Sequence, residues 1–334
     1  MRVSRLIKIA GWAGLALAAS AIVATVWFWH AFNANGPLRD ETILVIPKGG
    51  GISKIADFLE ENGVVRSALV FNIGVRLMSG GQPLHAGEFR FPTAASPRGA
   101  MQVLIEGKSV LHRLTVAEGL TTRQIFAQLD ANPLLDGPLP PLLPEGVLLP
   151  ETYFFVLDDS RGALVQRMRE DMSEALIGLW ARHDKSLPLA AAQEALILAS
   201  IIEKETGQKD ERARVAAVFL NRLKKGMPLQ SDPTVIYALT LGKAPLGRGL
   251  TQADLRTESP FNTYVVTGLP PAPIANPGLA ALRAVMHPVS SSELYFVADG
   301  SGGHAFAKTL AEHNRNVAKW RQIEQKLEQQ QNTE

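Results

Sequence analysis

Leu198-Ala199-Ser200-Ile201-Ile202-Glu203-Lys204-Glu205-Thr206-Gly207 is an apolar helical turn that runs directly into two carboxylates. At about 100° per residue, Glu205 falls on the stripe of Leu198, Ile201 and Ile202, while Glu203 points to nearly the opposite side. An apolar surround disfavours an ionised carboxylate and raises its pKa, as a general acid working near neutral pH requires. A charge is rarely left on such a stripe without a partner or a task. Two readings therefore compete. Glu205 is a candidate general acid, or it is a solvated residue or half of an ion pair with Lys204, Lys209, Arg212 or Arg214.

Around this turn the pattern is mainly helical. A helix is expected near 161–183, and a long helical block starts at about Leu189. That block breaks near Thr206-Gly207-Gln208 and resumes from Asp210 through Lys225, with Val215, Val218, Phe219 and Leu223 on one face. Gly226, Pro228 and Pro233 punctuate the chain after that helix. Leu294–Ala298 reads as a strand, and Ala305 to about Gln331 as a closing polar helix with a frayed glutamine tail. Asn132 to Pro150, rich in proline and leucine, reads as a boundary or a wall-lining loop.

The amino-terminal third is organised differently. Ile9 to Trp29 carries no charged residue and is long enough to span a bilayer as a helix. Arg2, Arg5 and Lys8 precede it and Arg39 and Asp40 come after it, so the positive-inside rule places the N-terminus in the cytoplasm. Trp27, Phe28 and Trp29 mark the outer end. A cleaved signal peptide is the competing reading, because Ala18, Ala19 and Ala21 resemble a cleavage site. Cleavage there would leave Ile22, Val23, Val26 and Trp27 on a greasy new terminus, which favours an uncleaved anchor. Asn33 to Leu38 is a short Gly/Pro linker. Beyond it Ile46, Gly49, Ile55 and Leu59 recur as Val116, Gly119, Ile125 and Leu129, each set spelling strand, glycine turn and amphipathic helix. A helix near 67–78, a strand near 88–91 and a helix near 97–106 lie between the copies. Short strands around small helices resemble the LysM fold, a glycan-binding module; an ordinary α+β spacer is the alternative.

Composition narrows the chemistry. The 334 residues suffice for two or three domains, and a net charge of +2 gives no global field for nucleic acid. With no cysteine there is no disulfide framework, thiolate nucleophile or Cys-based zinc site. His304 and His313 lack metal-ligand spacing, and neither a H-E-x-x-H, a P-loop nor a G-x-S-x-G is present. No metal or other cofactor is expected.

Three loop clusters come after the Glu205 turn: Gln230-Ser231-Asp232-Pro233-Thr234 with Tyr237, Asn262-Thr263-Tyr264 with Gly268-Leu269-Pro270-Pro271, and Asp299 to Phe306 around His304. Amides and hydroxyls beside aromatic rings suit sugar hydroxyls and sugar C–H faces. Each cluster alone reads as a turn, and His304 reads first as a hydrogen-bonding residue of its own glycine loop. Together, after a glutamate on an apolar stripe, they sketch a carbohydrate cleft. Glu145-Gly146, ahead of Pro150-Glu151-Thr152-Tyr153, adds a further polar candidate.

The segments 199–206, 229–234, 264–271 and 294–300 resemble the YceG-like (MltG-type) endolytic murein transglycosylases, in the expected order and over nearly the whole chain. The resemblance implies an α+β protein with a single N-terminal transmembrane helix (9–30), a linker (31–40), a LysM-like region (41–131) and a mainly helical lytic-transglycosylase-like domain with short strands (132–330). Its residues 1–8 would be cytoplasmic and the catalytic part periplasmic, at a bacterial inner membrane. It implies a catalytic acid at the glutamate followed by a hydroxyl residue, which here is Glu205 before Thr206. Candidate substrate-binding residues are Gln230, Ser231, Asp232, Tyr237, Asn262, Tyr264, Glu145 and His304. The implied partners are peptidoglycan strands, the inner membrane and peptidoglycan synthases, with a role in ending glycan polymerisation. A two-carboxylate hydrolase recruiting Asp232 or Glu258, and a non-catalytic glycan-binding scaffold, remain as alternatives.

Overall fold

A computed structural model describes residues 2–331 and divides the chain into two compact units, Met1–His112 and Arg113–Glu334. The first unit begins with one continuous helix, α1 (Arg2–Asn33), of which Gly11–Asn33 is long and apolar enough to cross a membrane. It fits a single-pass anchor. The end of α1 is not a free tether: Phe32 is fully buried, and Leu38 packs on the same core. Strand β1 (Thr42–Ile46) pairs antiparallel with β2 (Gly87–Phe91), with Leu44 opposite Phe89. Helices α2 (Ile52–Glu61), α3 (Ala68–Met78) and α4 (Pro97–Glu106) complete this unit. Ser67 and Ser96 cap α3 and α4, and Pro97 occupies the first turn of α4, where its missing N–H costs nothing.

Strand β3 (His112–Thr115) straddles the unit boundary and leads into α5 (Thr122–Asp130), whose capping box joins Thr121 and Gln124. The spaced repeat is real in structure, since Gly49 and Gly119 both turn with positive φ between strand and helix. The unit boundary, however, falls at His112/Arg113 and not at 131/132. The reason is packing: Ile125, Phe126 and Leu129 of α5 share a core with Leu135, Leu148, Tyr153 and Leu164. Segment 132–150 therefore belongs to the second unit, burying Leu135, Leu148 and Leu149 while Leu142 stays exposed. The Arg161 guanidinium ties it down by donating to the carbonyls of Leu129, Asn132 and Gly137. Short strands β4 (Leu135–Asp136), β5 (Thr152–Phe155) and β6 (Asp159–Ser160) lead into α6 (Arg161–Trp180); β3 pairs with β5 and β4 with β6.

Helices α7 (Ala192–Glu205), α8 (Arg212–Lys224) and α10 (Leu279–Met286) form the main core, with α9 (Asp232–Thr240) against α7. Every residue from Ala195 to Ile202 is buried. The expected break is present: Thr206 turns extended, and a 3-10 turn at Lys209–Glu211 precedes α8. The expected closing helix from Ala305 is corrected at its start. His304–Ala307 forms β8, antiparallel to β7 (Tyr295–Ala298), and the helix α11 runs Leu310–Gln331. The loop 299–303 closes this hairpin through Asp299, whose carboxylate accepts from the Ser301 N–H, and through positive φ at Gly300 and Gly302.

Candidate active site

The carboxyl of Glu205 stands at the last residue of α7, where Thr206 leaves the helix and is itself buried. Its Oε2 accepts a hydrogen bond from Ser231 Oγ at 2.7 Å. Ser231 is the residue just before α9, the position where a serine hydroxyl commonly caps the first backbone N–H groups. Here it makes no such cap. The hydroxyl is turned to the glutamate instead.

A buried hydroxyl network fixes Ser231. Its backbone N–H donates to Thr263 Oγ1 at 3.0 Å, and its carbonyl accepts from Thr234 Oγ1 at 2.6 Å. Thr234 and Thr263 hydroxyls meet at 2.8 Å, and all three residues are fully buried. The preceding Gln230 adopts φ +53°, a left-handed conformation uncommon for a non-glycine residue, and its N–H donates to the Thr263 carbonyl. The two loops are thereby locked to one another beside the glutamate.

Burial pushes the Glu205 carboxyl up to about 7; the Ser231 hydrogen bond, His304 and Arg222 oppose that rise, and the Asp232 charge adds to it. Of the cations expected nearby, Arg212 pairs with Glu203, Arg214 pairs with Glu293, and Lys204 Nζ donates to the Gly119 carbonyl. The side chains of Lys209, Arg2 and Arg5 lie outside the described residues. Among the described residues, no ion pair reaches Glu205.

Glu203 does point away from Glu205, but not into solvent. Its Oε1 accepts from Arg212 Nη2 at 2.9 Å, and its Oε2 from the Gly278 N–H at 3.0 Å. Both side chains of that ion pair are almost wholly buried. Arg212 also reaches Glu118 at 3.1 Å.

Asp232 and Tyr264 are joined, the phenol donating to Oδ1 at 2.6 Å, with Asp232 exposed and Tyr264 partly so. Burial and that carboxylate raise the phenol's pKa, so it stays a donor. Tyr237 lies against Phe261 with ring centroids 4.9 Å apart. Gln230, Asp232, Tyr237 and Tyr264 keep solvent-facing surface and can meet a ligand. Three of the sequence candidates are turned to other duties. Asn262 is fully buried, its amide donating to the Leu255 and Thr257 carbonyls and its Oδ1 accepting from the Tyr264 N–H. Glu145 accepts from the Thr122 N–H at 2.7 Å, bracing the start of α5, and from Asn276 Nδ2 at 3.3 Å. His304 pairs with Glu211 through Nδ1 at 2.6 Å. The commitments of Glu145 and His304 arise from contacts distant in sequence, which local spacing cannot display, whereas the partners of Asn262 all lie within its own loop region. Glu258 is exposed on its loop.

Sequence reasoning missed Arg222. It is buried, donates to the Leu229 carbonyl at 2.6 Å and the Leu294 carbonyl at 2.7 Å, and sits over the Tyr295 ring. It thus joins the Gln230 loop to β7 while contributing positive charge near Glu205. Its place on an otherwise amphipathic helix gives no local signal. Among the described residues no cluster of side chains could hold a metal ion.

A family model described as the YceG-like family matches residues 44–319. The chain is 32% identical over 311 residues to an endolytic murein transglycosylase of Bacillus subtilis, covering 82% of this chain and 83% of that protein. It is 29% identical over 322 residues to an endolytic murein transglycosylase of Streptococcus pneumoniae strain R6, of which the match covers 57%. A crystal structure of a yceG-like protein from Listeria monocytogenes aligns with a TM-score of 0.50 at 30% identity, covering 83% of this chain and 99% of that one.

Proposed function

Because the chain belongs to the YceG-like family, we propose that it is an endolytic murein transglycosylase with Glu205 as its acid and base. The observation that carries the assignment of Glu205 is a half-buried carboxyl bonded to a single hydroxyl. The carboxyl has a hydroxyl for a partner and, among the described residues, no ion pair, and burial pushes its pKa up to about 7. A group so poised can give a proton and take one back at neutral pH.

Protonated Glu205 would donate to the glycosidic oxygen between MurNAc and GlcNAc as the C1–O bond breaks. The MurNAc C6 hydroxyl would then attack C1 and return its proton to Glu205, closing a 1,6-anhydro ring. No water is consumed, so one carboxyl suffices where a hydrolase needs two. Gln230, Asp232, Tyr237 and Tyr264 would line the sugar subsites, with Ser231 orienting the acid and Asn262, Glu145 and His304 holding the loops. Glycan binding by the βα region, a periplasmic position beyond the anchor, a part in ending strand polymerisation and company with peptidoglycan synthases complete the reading.

Mass spectrometry of glycan ends tests it, using full-length wild type and Glu205→Gln on uncrosslinked peptidoglycan strands. Internal cuts bearing 1,6-anhydro ends, absent with the variant, are expected. Reducing MurNAc ends, heavier by one water, would replace the lyase by a hydrolase. Strand binding with no cleavage by either protein would leave a scaffold.

A further inference from the structure

The anchor helix does not stop where its hydrocarbon span would stop. Its apolar stretch Gly11–Asn33 has 23 residues, about 34 Å at 1.5 Å per residue, against a hydrocarbon thickness of about 30 Å. The last turn therefore stands at the outer interface. That same turn is inside the folded unit: Phe28 stacks on Phe32 with ring centroids 5.7 Å apart, and Phe32 is buried in the core. A Cβ on Gly74 of α3 would fall 2.0 Å from the Phe32 ring, so α3 crosses α1 in close contact at that level. Further ties fix the junction. Arg98 donates to Asn33 Oδ1, Arg66 to the Asn35 carbonyl, and the Gly36 N–H to the Ala94 carbonyl. With α1 across a bilayer, this unit has no slack with which to leave its surface.

Helix α3 has two sides. Val70, Phe71, Gly74 and Val75 are buried. Leu69, Ile73 and Leu77, at i, i+4 and i+8, are 68%, 38% and 70% exposed. At about 100° per residue, Leu77 lies about 60° from Gly74 and Ile73 about 100°, so the apolar stripe starts beside the α1 crossing. Leu69 lies about 140° round and Arg76 about 160° in the same sense, so the exposed guanidinium borders the Leu69 edge of the stripe. Arg66 and Arg98, both exposed, flank the end of α1.

We propose that α3 lies in the outer interface of the bilayer that α1 spans, with Leu69, Ile73 and Leu77 among the headgroups and upper acyl chains. This rests on the anchor reading of α1. The stripe is one side chain wide, far short of the roughly 800 Å² per partner that a stable protein interface buries. It does suit an interfacial helix, whose apolar side sinks about 5–10 Å while neighbouring arginines meet lipid phosphates. The lipid surface then holds the first unit by two elements, and the membrane sets its orientation as well as its distance.

The chain contains no cysteine, so single substitutions take one environment-sensitive fluorophore each. Full-length Val23→Cys, Leu69→Cys and Leu77→Cys would be labelled and reconstituted in phosphatidylethanolamine/phosphatidylglycerol vesicles carrying shallow or deep nitroxide lipids. The expected result is loss of most emission from Leu69→Cys and Leu77→Cys with the shallow nitroxide, and from Val23→Cys with the deep one. Water-like emission at positions 69 and 77, quenched by aqueous iodide but not by lipid, would overturn the proposal while leaving the anchor intact. Protection from both quenchers would mean that protein covers α3, and would overturn it equally. An unquenched label at position 23 would remove the anchor and this inference together.

Discussion

Glu203 and Glu205 leave the same helix two residues apart and meet opposite surroundings. On one side, Glu203 is enclosed with Arg212 at 2.9 Å and the Gly278 N–H at 3.0 Å, so its charge is answered where it sits. On the other, Glu205 is half-buried against one hydroxyl, and burial lifts it to about 7. Both carboxyls are raised by burial. Among the described residues, what separates the two carboxyls is an ion pair: Glu203 has one with Arg212, while Glu205 feels Arg222 and His304 only at a distance. Glu203 anchors α7 to the start of α8 and to the loop before α10. In the function proposed above, Glu205 holds a proton that it can release.

The largest effect that could break this contrast is on turnover. Glu205→Gln should lower strand cleavage about 10²- to 10⁴-fold, the range that a positioned acid supplies, measured as anhydro ends formed per minute. Glu203→Gln should act on stability instead. Removing one partner of a buried ion pair costs about 3–5 kcal/mol, and Glu118 at 3.1 Å from Arg212 should keep the loss at or below the lower end of that range. Denaturant titration would read this, with cleavage per folded molecule largely kept. If Glu203→Gln abolished cleavage in folded protein, the division of labour would be wrong.

Stability sharpens the contrast from the other direction. The folded-state pKa of Glu205 lies above its ordinary value of 4.5, so the protein is unburdened below pH 4.5 and loses stability as pH rises through about 7. The full displacement corresponds to on the order of 3 kcal/mol. Glu205→Gln, which cannot ionise, should unfold like wild type at about pH 4 and be the more stable protein at about pH 8. Equal stability of the two proteins at both pH values would mean that the carboxyl is solvated.

How far these residues are legible in the sequence depends on whether their partners are local. The 3.6-residue stripe places Glu205 among Leu198, Ile201 and Ile202 correctly, because one helix carries all of it. The same wheel turns Glu203 to the other side but cannot foresee Arg212 closing over it across the 3-10 turn. Ser231 reads in the sequence as a sugar contact; its bond to Glu205 bridges two helices, and no spacing announces it. Ala305-Phe306-Ala307 reads as helix by itself, and only pairing with β7 makes it a strand. The repeat is visible because each copy is local, whereas the unit boundary is not, because it depends on which core α5 joins. Asn262 looks like a ligand residue for the same reason that it serves a loop: a buried amide satisfies several backbone groups at once.

Ser231→Ala should cost about tenfold in rate, in line with the roughly 1.5 kcal/mol or more of a hydrogen bond to a charged group. The hydroxyl favours the ionised carboxylate. Without it the protonated form should persist to higher pH, and the alkaline limb of the pH–rate profile should move up. A drop in rate with an unmoved limb would make Ser231 a sugar contact and not a partner of the acid.

Asp232→Asn carries the smallest expected effect and discriminates most finely between mechanisms. The Asp232 charge helps to keep Glu205 protonated, so its removal should shift the alkaline limb down while preserving most of the rate at lower pH. Tyr264 would keep a hydrogen-bonding partner in the new amide, which limits the damage to the loop. A hydrolase that used Asp232 as its second carboxylate would behave differently, losing rate at every pH and by the orders of magnitude typical of a nucleophile or base. A limb that moves down without collapse would make Asp232 a tuning charge, and Glu205 would then need no second carboxylate.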